Sequence, residues 1–432
     1  MIKSDAIKTI LKMLLIVVGA SFIGMFFMWL VYLLPVEPMA EHMIESYDTI
    51  REQDTWDDDY LAALEWAEIL DTGTNIIMYH EVIYPNTGNA FEDSLLAPGG
   101  DVWSDMIGDW TGGLMKFAEE RDYSEDNTIT YARYWHGYLV FLKPLFFIMD
   151  LDGIYVINAI AQIALGIAVL YLFYKRLGKY CIAYLIMMLC MHPENIVQSF
   201  QLSSIYYAMQ ITLLLLLWKI DWKKEQVLYI FLFDGILVAF FDFLTYPYVA
   251  VAIPLLTYYL LHKKNDLLED FISLIKNGVS FVFGYAGMWA MKWIFATLFT
   301  SENVIADAIN SVLHRTGVVE SNADVMSSGV GESLYRNVYT FFDNGNSIVL
   351  IVAVIVAFVA FILKRRELSI QRQIGIFCTF MILTPFAWLI VLSNHCSLHP
   401  HLEWRTLCIT VFAIAVWLLS LLPTKINMKH DV

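Results

Sequence analysis

Met13 to Leu34 is a run of chain without a single charged residue, and a helix needs about 20 apolar residues to cross the hydrocarbon core of a bilayer. Phe281–Phe299, broken only by Lys292, and the runs Ser347–Leu363 and Cys408–Leu422 are of the same kind. Inside a bilayer every backbone polar group must find its partner within the protein, so a chain with several such runs folds as a helical bundle. Composition agrees. The 432 residues are 58% hydrophobic and 16% charged, against about 45–50% and about 25% in soluble domains.

The fold class expected is therefore an all-α membrane protein. Ten spans are predicted, near 11–34, 153–174, 180–193, 203–219, 227–243, 246–261, 274–299, 346–363, 374–393 and 405–422. The third and fourth are short, and Gln198, Gln201 and Ser203 between them suggest a tight turn at one membrane face. Orientation follows from Lys and Arg in short loops, which stay on the cytoplasmic side. With both termini inside, 18 of the 27 basic residues fall on that side. The first span is too long in its apolar part, and lacks a small-residue cleavage site, for a signal peptide. The domain plan is then a first span to 34, an outer loop domain 35–152, spans two to seven over 153–299, a second outer loop 300–345, and spans eight to ten with a short cytoplasmic tail over 346–432.

The charge is as uneven as the hydropathy. Residues 35–133 hold 23 Asp and Glu against four Arg and Lys, a net −19, while the remainder of the chain carries +3. That acidity excludes a nucleic-acid role for the loop, because phosphate backbones need basic patches. All five cysteines lie outside the loop, so it is no disulfide scaffold. Residues 38–70 show apolar positions at helical spacing and read as surface helices. Asp71 or Thr72 is a candidate helix N-cap. Residues 85–113, rich in Gly, Asn, Pro and Asp, read as loop, and the apolar segment 137–149 is too short to span and reads as interfacial.

Four groups of residues have chemical potential. Tyr131-Ala-Arg-Tyr-Trp-His-Gly-Tyr138 closes the acidic loop with a basic, aromatic strip. On a helix, Arg133 and His136 would share a face, and Lys143 two turns on would point the same way, so a phosphate at headgroup depth could meet all three. Interfacial aromatics also serve as plain anchors. The second group, Asn394 to Arg405, holds His395, His399, His401, Glu403 and Arg405. A divalent metal site is one reading, since His395 and His399 are one turn apart, although Pro400 interrupts the register. Substrate contact is the favoured reading, because an arginine opening a span is costly to leave idle. The third is Asp234 and Asp242 with Phe241-Asp-Phe-Leu-Thr-Tyr-Pro247. Intramembrane carboxylates carry function or pair with cations, and Asp242 could hold Arg405, Lys143 or Lys292. The fourth is the loop's carboxylates, of which Glu37 and Asp71 are best placed to face the membrane as a general base.

With these blocks in hand, the chain resembles the GT-C class of membrane glycosyltransferases, in an uncharacterised bacterial branch. The resemblance rests on a first span leading into a large outer loop, and on Tyr131–Leu145, Phe241–Pro247 and Asn394–Arg405. It departs from the commonest pattern in having no acidic pair directly after the first span, only Glu37. The resemblance implies an inverting transfer of sugar from a polyprenyl-phosphate donor to an envelope glycan or cell-wall polymer at the outer face of a bacterial plasma membrane. It implies Asp71 or Glu37 as base, and Arg133, His136, Lys143 and Arg405 around the leaving phosphate. Tyr134 and Trp135 would line the sugar site, with Asp242, His395 and His399 as further substrate contacts. No cofactor is required, and a divalent metal is possible. A transporter or flippase, a polysaccharide polymerase and a non-enzymatic assembly or sensor protein are the competing classes; no inverted repeat supports the transporter.

Overall fold

The computed structural model describes residues 2–53, 72–101, 109–124, 127–264, 266–315, 329–343, 345–364 and 370–423. In chain order the elements are α1 (Ile2–Val31), α2 (Glu37–Glu45), α3 (Tyr47–Gln53), α4 (Thr72–Val82), α5 (Ala90–Leu96), β1 (Pro98–Gly100), α6 (Trp110–Glu120), β2 (Thr128–Thr130) and α7 (Leu139–Ile148). There follow α8 (Leu151–Leu177), α9 (Cys181–Cys190), α10 (Pro193–Gln198), α11 (Phe200–Trp218), α12 (Lys224–Phe241), α13 (Tyr248–His262) and α14 (Leu267–Phe299). The chain continues through α15 (Val304–Arg315), α16 (Val330–Asp343), α17 (Asn346–Lys364), α18 (Arg372–Val391), α19 (Ser393–Leu398), α20 (Pro400–Glu403) and α21 (Cys408–Leu421).

Among the described residues, seven helical stretches are long and apolar enough to cross a membrane. They fall in α1, the stretch Leu151–Cys190, α11, α14, α17, α18, and the stretch Pro400–Leu421. The protein is a multi-pass, all-α membrane protein. Leu151–Cys190 is no single rod. Gly178 leaves the helix at φ 56°, and the rings of Phe173 and Tyr184 stack at 4.7 Å. Eleven residues of continuous helix would separate them by about 16 Å, so the chain reverses at Gly178. The predicted spans 180–193, 227–243 and 246–261 correspond to α9, α12 and α13, which have 10, 18 and 15 residues.

Contacts sort the helix ends into two groups. Lys12 pairs with Glu225, Arg176 donates to the carbonyl of Trp218, His262 Nε2 to that of Ile220, and Lys179 to that of Leu422. These residues form one end of the bundle. The loop domain lies at the other end. Its core is Met39, Met43, Met78, Val82, Leu114 and Phe117 packed on Leu139, Leu142 and Phe146 of α7. A two-stranded antiparallel ribbon, Pro98 opposite Thr130 and Gly100 opposite Thr128, completes it.

Within the bundle α12 and α14 make the closest crossing. A Cβ at Gly235 would stand 2.1 Å from the Phe281 carbonyl oxygen, and one at Gly284 would stand 2.2 Å from that of Leu232. Small residues let two membrane helices approach to backbone contact. The interrupted helix pair α9–α10 is held by side chains of its neighbours. Asn158 of α8 donates to the Val197 carbonyl at 2.7 Å, and Ser203 of α11 to that of Ile196 at 2.6 Å. Gln162 and Asn158 both donate to Ser203 Oγ. These buried polar residues satisfy the carbonyls that the chain break leaves over.

Two local expectations are corrected, and a third holds over the part that is described. Residues 85–113 are not all loop, since α5, β1 and the start of α6 lie there. Asn89 and Asp109 are helix N-caps, accepting from the backbone N–H of Glu92 and Gly112, so punctuation that suggests loop marks helix starts. The helical reading of 38–70 holds over α2 and α3, with a break at Ser46; residues 54–71, including Asp71, lie outside the described residues. Tyr131–Tyr138 is not a helix, and His136 takes a left-handed φ of 54°. Arg133 and His136 therefore point to different partners.

Candidate functional site

The α12–α13 turn sets the geometry. Asp242 caps α12, and its carboxylate accepts from the backbone N–H of Leu244 at 2.8 Å and of Thr245 at 3.1 Å, and from the Thr245 hydroxyl. Asp242 thus shapes a turn, where the sequence suggested a partner for a buried cation. The turn pushes Leu244 into the left-handed region at φ 73° and turns Phe243 toward the loop domain. The Phe243 ring meets those of Tyr131, Tyr134, His136 and Tyr138, with centroids 5.0 to 5.9 Å apart. Gly137 donates to the Phe240 carbonyl at 2.8 Å, and a Cβ there would run into the Phe240 ring at 2.3 Å. The basic, aromatic strip is docked on the end of α12 by this contact.

A cavity of about 490 Å³ opens at this junction. Tyr131 and Arg133 line it from the strip, Phe243, Leu244 and Thr245 from the turn, and Asn394, His395, Leu398 and His399 from α19 and its cap. Thr74 and Ile77 of α4, Asn310 and Ser311 of α15, and Leu402 complete it. Three sequence blocks separated by more than a hundred residues therefore share one wall. Among the described residues, no Asp or Glu side chain lines the cavity.

Among the described residues, Arg133 is the one lysine or arginine that lines the cavity. Its guanidinium pairs with Asp307 of α15 at 2.9 Å, sits 4.8 Å over the Tyr131 ring, and is partly exposed. Trp293 of α14 donates to the Arg133 carbonyl at 2.9 Å. His395 is buried, and its Nε2 donates to the Leu244 carbonyl at 2.8 Å. Glu403, wholly buried, stands 3.5 Å from the same nitrogen and accepts from Trp388 Nε1 at 2.9 Å. The His399 ring lies between those of His395 and His401, at 4.8 and 5.8 Å. Among the described residues no three His, Cys, Asp or Glu side chains form a metal-ligand group.

A second buried network stands behind the Tyr131 wall. His136 Nδ1 lies 3.0 Å from a Glu81 carboxylate oxygen, Tyr138 donates its hydroxyl to the same carboxylate, and His136 Nε2 donates to the Tyr131 carbonyl at 2.6 Å. This holds Tyr131 against the cavity from a strained backbone, a combination common at functional sites. Next to it His80 is packed on Phe117, and burial pushes its imidazole down to about 3.

The remaining sequence candidates lie elsewhere. Lys143 is buried and donates to the carbonyls of Val82 and Tyr84 at 2.8 and 2.9 Å, closing the end of α4. Trp135 donates to the Met288 carbonyl at 2.8 Å, with Lys292 beneath its ring. Tyr134 is buried in the aromatic cluster. Arg405 is buried and donates to the carbonyls of Met191 and His401, at 3.3 and 2.7 Å. Glu37 is exposed in the first turn of α2 and does not line the cavity. Sequence reasoning missed Glu81, Asp307, Asn310 and Ser311. Only the amphipathic pattern of α15 hinted at the last three.

No family model, no curated protein and no solved structure matches this chain.

Proposed function

We propose that this chain is a membrane glycosyltransferase that moves a sugar from a polyprenyl-phosphate donor to an envelope glycan acceptor. The observation that carries this reading is the convergence of the Tyr131–Tyr138, Phe241–Pro247 and Asn394–Arg405 blocks on one cavity at the loop–bundle junction. The cavity combines what the transfer needs. Arg133 offers a cation to the phosphate that leaves from the anomeric carbon. Asn310, Ser311 and Asn394 offer hydrogen bonds to sugar hydroxyls, and Tyr131 and Phe243 offer aromatic faces. In its neutral form His395, with Nε2–H bound to the Leu244 carbonyl, would carry its lone pair on Nδ1. In this reading it takes the proton from the acceptor hydroxyl, the glycosidic bond forms as the C1–O phosphate bond breaks, and the anomeric centre inverts. His395 replaces Glu37 as the proposed base because it lines the cavity. The proposed topology has ten passes, both termini cytoplasmic and the cavity at the outer face of a bacterial plasma membrane, as the basic loops suggest.

The test is an assay of the purified chain with a polyprenyl-phosphate hexose and a glycan acceptor. Sugar transfer lost in Arg133→Ala and in His395→Gln supports the reading; both variants at full activity would sink it. One observation favours a transporter instead. Asp234 of α12 is wholly buried, with Thr212 beside it, and among the described residues neither carboxylate oxygen has a hydrogen-bond partner of normal geometry. Intramembrane carboxylates mark ion or proton pathways. Substrate movement in proteoliposomes without any sugar transfer decides for that class.

A further inference from the structure

A second cavity, of about 460 Å³, lies at the opposite end of the bundle, among α1, α12, α13, α14 and α18. Its inner wall is apolar: Leu228, Leu255, Leu274 and Phe377, with the Tyr259 ring lying flat on Phe377 at 3.8 Å. Its mouth is charged. Lys224 and Lys264 both pair with Glu269, Glu225 is held by Lys12 at 3.0 Å, and Asp270 accepts from the Lys264 backbone at 3.1 Å. His262 has both ring nitrogens against backbone carbonyls. All three carboxylates are thus occupied. Lys276, exposed on the rim, has no ion pair among the described residues and is the positive charge left over.

Two buried groups in the same wall lack partners. Asn277 and Tyr259 are 3% and 4% exposed, and among the described residues neither the Asn277 Nδ2 nor the Tyr259 hydroxyl has a hydrogen-bond partner. Buried polar groups are almost always satisfied, and an unmet one in a cavity wall calls for a ligand atom. Both groups can donate, so the ligand that meets them together presents acceptor oxygens. Beside Lys276 those oxygens are best anionic, and the apolar inner wall suits a hydrocarbon tail.

We propose that this cavity binds the phosphate of a phospholipid headgroup, its acyl chains lying along the apolar wall. Basic pockets between membrane helices take anionic headgroups by this chemistry. The proposal stands apart from the glycosyltransferase reading, since it needs only that the chain is embedded in a bilayer.

The test uses the full chain, purified in detergent, stripped of lipid and followed by native mass spectrometry. The probes are phosphatidylglycerol, uncharged diacylglycerol and inorganic phosphate. Phosphatidylglycerol is expected to bind and diacylglycerol not, with Lys276→Ala and Asn277→Leu each weakening binding roughly tenfold. Lys276 is exposed, so its variant reports even where Asn277→Leu fails to fold. Lys175→Ala, a lysine at the same end outside the cavity, is expected to change nothing. Equal binding of diacylglycerol, unchanged binding in Lys276→Ala, or an equal loss in Lys175→Ala would overturn the proposal. Inorganic phosphate binding as tightly as the lipid would overturn it too, by making the ligand a soluble phosphate.

Discussion

The Nε2 of His395 and the carbonyl oxygen of Leu244 stand 2.8 Å apart, and this hydrogen bond joins two links of the bundle 151 residues apart in sequence. It fixes the tautomer of a histidine that lines the cavity, and it does so through a residue held in left-handed backbone by Asp242. If His395 is the base, His395→Gln lowers kcat by about 10²–10⁴, the usual worth of a general base. Asp242→Asn, which weakens the turn that aims Leu244, is expected to lower kcat less. A stopped assay of sugar transfer by each variant checks the order.

Arg133→Ala is expected to lower kcat by about 10²–10³, the loss seen when one donor to a developing oxyanion is removed. Asp307→Asn is expected to act mainly on KM and by only a few fold. Its side chain is 54% exposed, where solvent screens an ion pair strongly. Steady-state kinetics on both variants separates positioning by Asp307 from charge supplied by Arg133.

Lys143→Met separates structure from substrate contact. The ammonium closes two buried carbonyls at the end of α4, and leaving them unmet costs about 1–3 kcal/mol each at most. A lower thermal midpoint with an unchanged KM is expected. A raised KM with an unchanged midpoint would return Lys143 to the substrate.

His80 makes the loop domain sensitive to acid. Burial holds its folded pKa at about 3, while an unfolded histidine titrates near 6.5. Between those values the unfolded chain binds the proton and the folded one does not, so stability falls as pH drops from about 6.5 to about 3. The slope for one proton is about 1.4 kcal/mol per pH unit. His80→Leu is expected to flatten unfolding midpoints over that window by one proton's worth. A slope unchanged in the variant assigns the effect to other groups.

Gly235→Ala and Gly284→Ala each place a methyl group inside van der Waals contact with the facing backbone. Overpacking of this kind costs about 1–3 kcal/mol. Both variants should unfold at lower denaturing-detergent fraction than the parent, and the pair should be less than additive because they share one crossing.

The all-α, multi-pass character was legible because the length of apolar runs is written locally in the chain. The cavity was legible in part, since Arg133, His395 and His399 were singled out for their chemistry and do line it. What escaped was direction. Lys143 and Arg405 read as costly cations awaiting a ligand, yet backbone carbonyls at broken helix ends use them, and nothing local announces a broken end. Glu81 escaped because its partners His136 and Tyr138 lie more than fifty residues away. Asp307 escaped because α15 looks like any amphipathic surface helix.

The interruption between α9 and α10 has a consequence for the surrounding lipid. Ten residues of α9 climb about 15 Å from the basic end, half of a hydrocarbon core of about 30 Å. There the chain breaks at His192, whose ring meets the exposed carboxylate of Glu194 at 2.7 Å. The break thus leaves an exposed carboxylate beside a helix half as long as a span. If α9 and α10 together make one pass, as the proposed topology has it, the bilayer beside them would have to thin to meet the short helix, and hydrophobic mismatch would favour membranes that deform at low cost.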